Sequence, residues 1–84
     1  MGSFIVGDRV AYFGREARVV FDGIGICDHY LLKFDDGEGW RGTNNHHVMH
    51  NERLHHLRDE TGLWWCRPGD IKLLTGKDEY EIDE

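Results

Sequence analysis

Apolar and polar residues alternate along the first third of the chain, the pattern of half-buried β-strands. Val10 and Tyr12 lie on one face of a first predicted strand, which Gly14 ends. The alternation resumes over residues 15–21, where one face is wholly apolar and consists of Ala17, Val19 and Phe21. We expect that face to point into a core.

Two glycine-containing segments frame a third predicted strand over residues 29–34, with Leu32 and Phe34 facing inward. The first segment, residues 22–25, has two glycines within three residues and predicts a turn or loop. The second is Asp35-Asp36-Gly37. Because Asp-Gly favours tight turns whose twist matches the flanking strands, it predicts a hairpin.

Residues 43–60 differ in character from the rest, because they are polar, histidine-rich and free of glycine and proline. Thr43, Asn44 and Asn45 are residue types that cap helices. The apolar stripe is weak, since Leu54 and Leu57 are three apart and Val48 lies six before Leu54. We therefore expect an inserted loop with one or two helical turns, lying outside the sheet.

The chain then returns to strand patterns. Residues 63–66 predict a fourth strand, residues 68–70 a tight or 3₁₀ turn, and residues 71–74 a closing strand. The pattern as a whole predicts a mainly β, small five-stranded barrel over residues 4–75, with residues 43–60 inserted before the fourth strand. Residues 76–84 carry five acids and are expected to form a flexible tail.

The order of the turn and core residues resembles that of small SH3-like barrel proteins of phage and bacterial origin, and more distantly the Mind bomb and KOW types. The likeness covers about residues 5–42 and 62–75. Its motifs are Gly7-Asp8-Arg9-Val10, Gly14-Arg15-Glu16-Ala17-Arg18-Val19-Val20, Leu32-Lys33-Phe34-Asp35-Asp36-Gly37 and Trp64-Trp65-Cys66-Arg67-Pro68-Gly69-Asp70-Ile71. The resemblance implies a barrel that serves as a binding module, such as a phage protein acting on a host factor.

Length and charge narrow the class of protein. Eighty-four residues fit a single domain with one thin core. A formal charge of −6 disfavours duplex DNA as a partner, because DNA-binding domains normally carry a basic face. No apolar run is long enough to cross a bilayer, and no signal peptide is evident. We therefore expect a cytoplasmic protein with no membrane partner, whose two cysteines are free thiols.

Five of the six histidines fall within residues 46–56. Imidazole is a common ligand for zinc, copper and nickel. In a helix His46 and His50 would share a face, as would His47 and His50, which makes these three the candidate ligands of a zinc-type site. A closed site would also need Cys27, Cys66 or His29 to approach. The alternative is a solvated polar loop without a cofactor.

The tryptophans are the main candidates for binding a partner. Successive strand residues point to opposite faces, so Trp64 and Trp65 do not share one core unless a bulge intervenes. We expect one of them to be exposed, where it would form an aromatic patch with Trp40, Tyr12 or Tyr30. Such a patch suits a proline-rich peptide, a methylated cation or a stacked base. The predicted partner-binding residues are Trp40, Trp64, Trp65, Tyr30, Arg41 and Arg67.

We therefore expect a non-enzymatic module that binds a protein partner through a tryptophan-rich face. Asp35 and Asp36 are explained by turn formation, and no motif places a base beside a cysteine. Two alternatives remain. One is a metal-binding protein that uses the histidine cluster, and the other is a protein that stacks on single-stranded nucleic acid, which the net charge opposes.

Overall fold

The computed structural model describes residues 4–74, in which five short strands form one antiparallel sheet. The strands are β1 (Arg9–Tyr12), β2 (Arg15–Asp22), β3 (Tyr30–Phe34), β4 (Leu63–Cys66) and β5 (Ile71–Leu73). A short helix α1 (His46–His50) and three 3₁₀ helices (Gly42–Asn44, Glu52–Leu57 and Pro68–Asp70) complete the fold. The predicted acidic tail lies outside the described residues. No helix within residues 4–74 has the length and apolar character required to cross a bilayer.

The sheet has the strand order β4-β3-β2-β1-β5. Consecutive strands are neighbours except at the last step, where β5 returns to pair with β1 through Val10 and Leu73. The expected closure into a complete barrel is not seen. Across residues 4–74, β4 and β5 are the two edge strands and do not pair with each other.

The first core cluster covers one face of the sheet. It contains the inward positions predicted for β1 and β3, and Val10, Leu32 and Phe34 are all buried. Its members are Phe4, Val10, Ala17, Val19, Tyr30, Leu32, Phe34, Cys66 and Ile71, with Tyr12 packed against it. The alternation in the sequence is thus confirmed for this face.

A β-bulge gives the sheet a second buried face. Val19 pairs with Leu32 while Phe21 pairs with Leu31, which leaves Val20 as one extra residue in β2. The extra residue reverses the alternation, so Phe21 points to the opposite face from Val19. The prediction that Phe21 shares a face with Val19 was therefore wrong, although Phe21 is buried as expected.

The second core cluster lies on that opposite face and is completed by the histidine-rich segment. It consists of Phe21, Leu31, Val48, Leu54, Leu57 and Leu63. Residues 43–60 form short helices as predicted, but they are not a wholly solvated excursion. Val48, Leu54 and Leu57 of this segment cover the sheet, because β3 carries a leucine on each of its faces at positions 31 and 32.

The Asp35-Asp36-Gly37 turn forms, but it does not make a hairpin. The amide of Gly37 donates to the carbonyl of Phe34 at 3.1 Å, and the next strand beside β3 is the distant β4. Arg15 holds the turn by donating to the Asp36 carboxylate at 2.8 and 3.0 Å. Hydrogen bonding to this guanidinium lowers the pKa of Asp36 to about 2.

Candidate functional site

Two stacked tryptophans lie at the β4 edge of the sheet. The rings of Trp40 and Trp64 have centroids 5.5 Å apart and an interplanar angle of 26°. Trp64 is 45% exposed, and Trp40 is half-buried. The prediction that one member of the Trp64-Trp65 pair is exposed beside Trp40 is confirmed, and the exposed member is Trp64.

The backbone holds Trp40 beside β4. Its amide donates to the carbonyl of Leu63 at 3.0 Å, and the amide of Leu63 donates to the carbonyl of Trp40 at 3.1 Å. These two bonds form an isolated antiparallel bridge outside the named strands. Gly39 makes the approach possible, because a Cβ atom there would lie 2.7 Å from the backbone of Gly62 and of Leu63.

Trp65 has a different environment because it points to the other face of β4. It packs against the second core cluster and meets the ring of Phe21 edge-on, with the two ring centroids 6.2 Å apart. Its indole Nε1 donates to Oδ1 of Asn45 at 3.5 Å. Trp65 therefore packs against the histidine-bearing segment, residues 43–60, and is not part of the Trp40-Trp64 stack.

Tyr30, which was predicted as a partner-binding residue, is a core residue and offers little surface to a partner. It is 3% exposed, and its hydroxyl accepts a hydrogen bond from the amide of Phe4 at 3.0 Å. The two rings also meet edge-on. Tyr30 is buried because it lies in the first core cluster and packs against Phe4, a contact 26 residues away in sequence that strand alternation does not reveal.

Arg41 and Arg67 are both exposed, and each directly follows a strand-like residue of the site. Arg41 comes after Trp40, and Arg67 comes after the last residue of β4. Each has an extended backbone and precedes a 3₁₀ helix. Their role in binding a partner stays a prediction.

The three candidate metal ligands lie on α1, but they do not converge. The rings of His46 and His50 have centroids 4.3 Å apart, whereas those of His46 and His47 are 5.8 Å apart. His47 meets the ring of Trp65 edge-on instead. In the part of the chain that the structure describes, no three histidine, cysteine or acidic side chains are placed to hold one ion.

The two cysteines are free thiols in the structure, as predicted. Burial raises the pKa of the Cys66 thiol to about 12, so it remains protonated at neutral pH. Cys27 is half-buried and lies beside His29. The ring of His29 donates from Nδ1 to the carbonyl of Cys27 at 2.8 Å, so this nitrogen orients the ring and does not face the thiol.

A concavity that is partly lined by ion pairs lies away from the tryptophans. It has a volume of about 600 Å³, and Arg9, Lys33, Asp35 and Glu60 contribute to its wall. Arg9 pairs with Asp35, and Lys33 lies 3.1 Å from Glu60. Because these four side chains already pair within the wall, the tryptophan stack is the stronger candidate site.

One exposed aromatic residue was missed by the sequence analysis. Phe13 is 74% exposed at the tip of the β1-β2 turn, with φ of 50°. The signal was available, because Phe13-Gly14 occupies a two-residue loop where a bulky residue is unusual.

The sequence matches no protein-family model, and searches of curated proteins and of solved structures returned no match. The fold alone therefore defines the class. It is a mainly β protein built on one five-stranded antiparallel sheet, with short helices covering its second face.

Proposed function

We propose that this chain is a non-enzymatic, SH3-like module that binds a protein partner through Trp40 and Trp64. The SH3-like assignment is supported by the strand order, in which β5 returns beside β1. It is also supported by the bulge in β2, which bends the sheet, and by the 3₁₀ helix between β4 and β5. On this proposal the barrel is partly open, with β4 at one edge.

The exposed tryptophan stack is the observation on which the binding proposal depends. Large aromatic residues dominate the energetics of protein interfaces, and an exposed tryptophan in a small domain is not needed for core packing. Trp64 has almost half of its surface in water although it lies in a strand next to the core. Burying that surface against a partner would be favourable.

The chemistry of the site indicates the kind of segment that it binds. A flat double-ring surface favours a proline or an aromatic ring, which contribute apolar area at a low cost in conformational entropy. Arg41 follows Trp40 directly and Arg67 lies three residues after Trp64, and both are exposed, so their guanidinium groups favour a partner segment that carries carboxylates. The proposed partner is therefore a protein segment with a proline or aromatic residue flanked by acids.

The test compares binding by three forms of the full chain. Partners are captured from the source cell on wild-type protein, identified by mass spectrometry, purified, and titrated by calorimetry. Trp64→Ala is expected to weaken binding by about 2 kcal/mol or more, as at an interface hot spot. Trp64 is the better target, because Trp40 also packs against the second core cluster.

Phe13→Ala is the matched control, since it removes another exposed aromatic ring that lies outside the stack. It should bind the captured partner as the wild type does. Circular dichroism and thermal unfolding verify that each variant is folded. If Trp64→Ala binds the partner with wild-type affinity, the proposal is wrong.

A further inference from the structure

The histidine rings of α1 offer a second site that is independent of the tryptophan stack. His46 and His50 are separated by one helical turn, so their side chains leave the helix on the same face. Their ring centroids are 4.3 Å apart, with an interplanar angle of 44°. Paired imidazoles with this spacing are the arrangement with which a helix chelates a metal ion.

The helix that carries this pair is capped and packed. The Asn45 side chain caps its start by accepting from the amide of Val48 at 3.1 Å, and Val48 is fully buried in the second core cluster. Directly after the helix, Asn51 caps the following 3₁₀ helix by accepting from the amide of Arg53 at 2.9 Å. The backbone positions of His46 and His50 are therefore fixed by packing, which lowers the entropic cost of chelation.

The ring nitrogens of His46 and His50 are available, unlike those of two other histidines. His29 donates to the carbonyl of Cys27, and His55 donates from Nε2 to the carbonyl of Met49 at 2.8 Å. Within residues 4–74 the structure gives the rings of His46 and His50 no hydrogen bond. Both residues are exposed, so solvent and ions reach them.

The surroundings leave space for an ion that keeps part of its water shell. His46 and His50 line a depression of about 520 Å³, with His47, Asn51, Glu52 and Arg53 around them. Because only two imidazoles converge, the site does not resemble a closed four-ligand zinc centre. An open two-nitrogen site takes a divalent ion whose remaining positions are filled by water.

We propose that His46 and His50 form a chelating site for a divalent transition-metal ion that prefers imidazole. Copper(II) binds such nitrogen sites more tightly than nickel(II) or zinc(II) when the protein does not impose a geometry. The protein supplies only two ligands at this site and does not fix the geometry of the others, so Cu²⁺ is expected to bind more tightly than Zn²⁺.

The test is a calorimetric titration of tag-free, full-length protein with Cu²⁺ and with Zn²⁺. Loss of an outer-shell partner alone typically weakens a metal site by about 10–100-fold. Removing a ligand should therefore weaken Cu²⁺ binding at least about tenfold in His46→Gln and in His50→Gln. The electron paramagnetic resonance spectrum of the Cu²⁺ complex should show two equatorial imidazole nitrogens in the wild type and one in each variant.

Two control variants assign the site. His56→Gln alters an exposed histidine outside α1, and Cys27→Ser alters the nearest accessible thiol; both should retain wild-type affinity. Thermal unfolding provides a second measurement, because an ion that binds only the folded state raises the melting temperature. That rise should be absent in the double variant His46→Gln, His50→Gln.

Two results would overturn the proposal. The first is wild-type protein that binds Cu²⁺ no more tightly than the double variant. The second is affinity that is lost in Cys27→Ser but retained in His50→Gln, which would place the ion beside Cys27. Each result concerns metal binding alone and leaves the proposed role of Trp64 unaffected.

Discussion

At the scale of single residues, Phe13 is the clearest departure from what folding alone favours. It lies in a two-residue turn with Gly14, and both have positive φ angles, of 50° and 82°. Such turns favour asparagine or glycine, because a left-handed backbone costs a bulky residue about 1–2 kcal/mol. The Phe13 ring recovers part of that cost by meeting the ring of Tyr12 edge-on, with the two ring centroids 4.6 Å apart.

We therefore expect Phe13→Asn to raise the free energy of unfolding by about 0.5–1 kcal/mol. Urea unfolding followed by tryptophan fluorescence measures the change. Phe13→Ala loses the same ring contact without gaining a side chain that tolerates the left-handed region. It should be no more stable than the wild type. A Phe13→Asn variant less stable than Phe13→Ala would contradict the strain argument.

Cys66 gives the protein a specific sensitivity to alkaline pH. Burial raises the pKa of its thiol from 9.0 to about 12. The native state therefore keeps a proton that the unfolded chain releases above pH 9, so this contribution to stability is complete below pH 9.0 and is lost as pH rises toward about 12. Unfolding in urea under reducing conditions at several pH values should show this decrease.

Cys66→Ala removes the thiol. Burial also raises the pKa of Tyr12, and interaction with the Cys66 thiol adds to that rise, so the decrease in stability that Tyr12 causes at high pH should be smaller in Cys66→Ala. The difference between the stabilities of wild type and Cys66→Ala should therefore shrink above pH 9. Parallel pH profiles for the two proteins would show that the thiol titrates alike in the folded and unfolded states.

At the scale of elements, the two ends of the histidine-bearing segment, residues 43–60, are held close together at Gly42. A Cβ atom there would lie 2.1 Å from the carbonyl oxygen of Leu57 and 2.6 Å from Cα of Arg58. Both neighbours are backbone atoms, so side-chain rotation does not relieve the clash. Gly42→Ala should lower the free energy of unfolding by about 1–3 kcal/mol, as overpacking does.

Gly69 provides the matched comparison, because it also lies in a 3₁₀ helix but has open space where a Cβ atom would be. Gly69→Ala should change the free energy of unfolding by no more than about 0.5 kcal/mol. Denaturant unfolding of both variants checks the pair. Equal stabilities would mean that residues 43–60 do not pack as the structure shows.

The sequence predicted the existence and type of most elements, because alternation and turn chemistry are local. All five strands and the Pro68-Gly69-Asp70 turn are present near their predicted positions. The face assignment failed at Phe21, since one extra residue in β2 is visible only through its pairing with β3. The Asp35-Asp36-Gly37 signal gave the turn but not the strand that follows, because pairing across 28 intervening residues is not a local property.

The candidate site was predictable in part for the same reason. Strand alternation was enough to place Trp64 and Trp65 on opposite faces, and the structure shows which one is exposed. The burial of Tyr30 depended on contacts that no local pattern contains, including its hydrogen bond to Phe4. Of the three predicted metal ligands, only His46 and His50 have neighbouring rings, because the ring of His47 lies against Trp65.

At the scale of the whole molecule, one thin sheet separates two small cores. The first core cluster lies between the sheet strands and Phe4, and the second lies beneath residues 43–60. A domain of this length buries a modest share of its surface, and several large apolar side chains of residues 4–74 remain exposed, Trp64 among them. Trp64 differs from the others because it stacks on a second tryptophan at the sheet edge, and the binding proposal depends on that pair.

The central claim, that Trp40 and Trp64 form the binding face, is tested most directly by the three indole N–H signals in a nitrogen-15 correlation spectrum. Single tryptophan variants assign the signals, and the partner identified by capture is then titrated into labelled protein. The indoles of Trp40 and Trp64 should shift. The indole of Trp65, which donates to Asn45, should not. A shift confined to Trp65, or none at any of the three, would contradict the account.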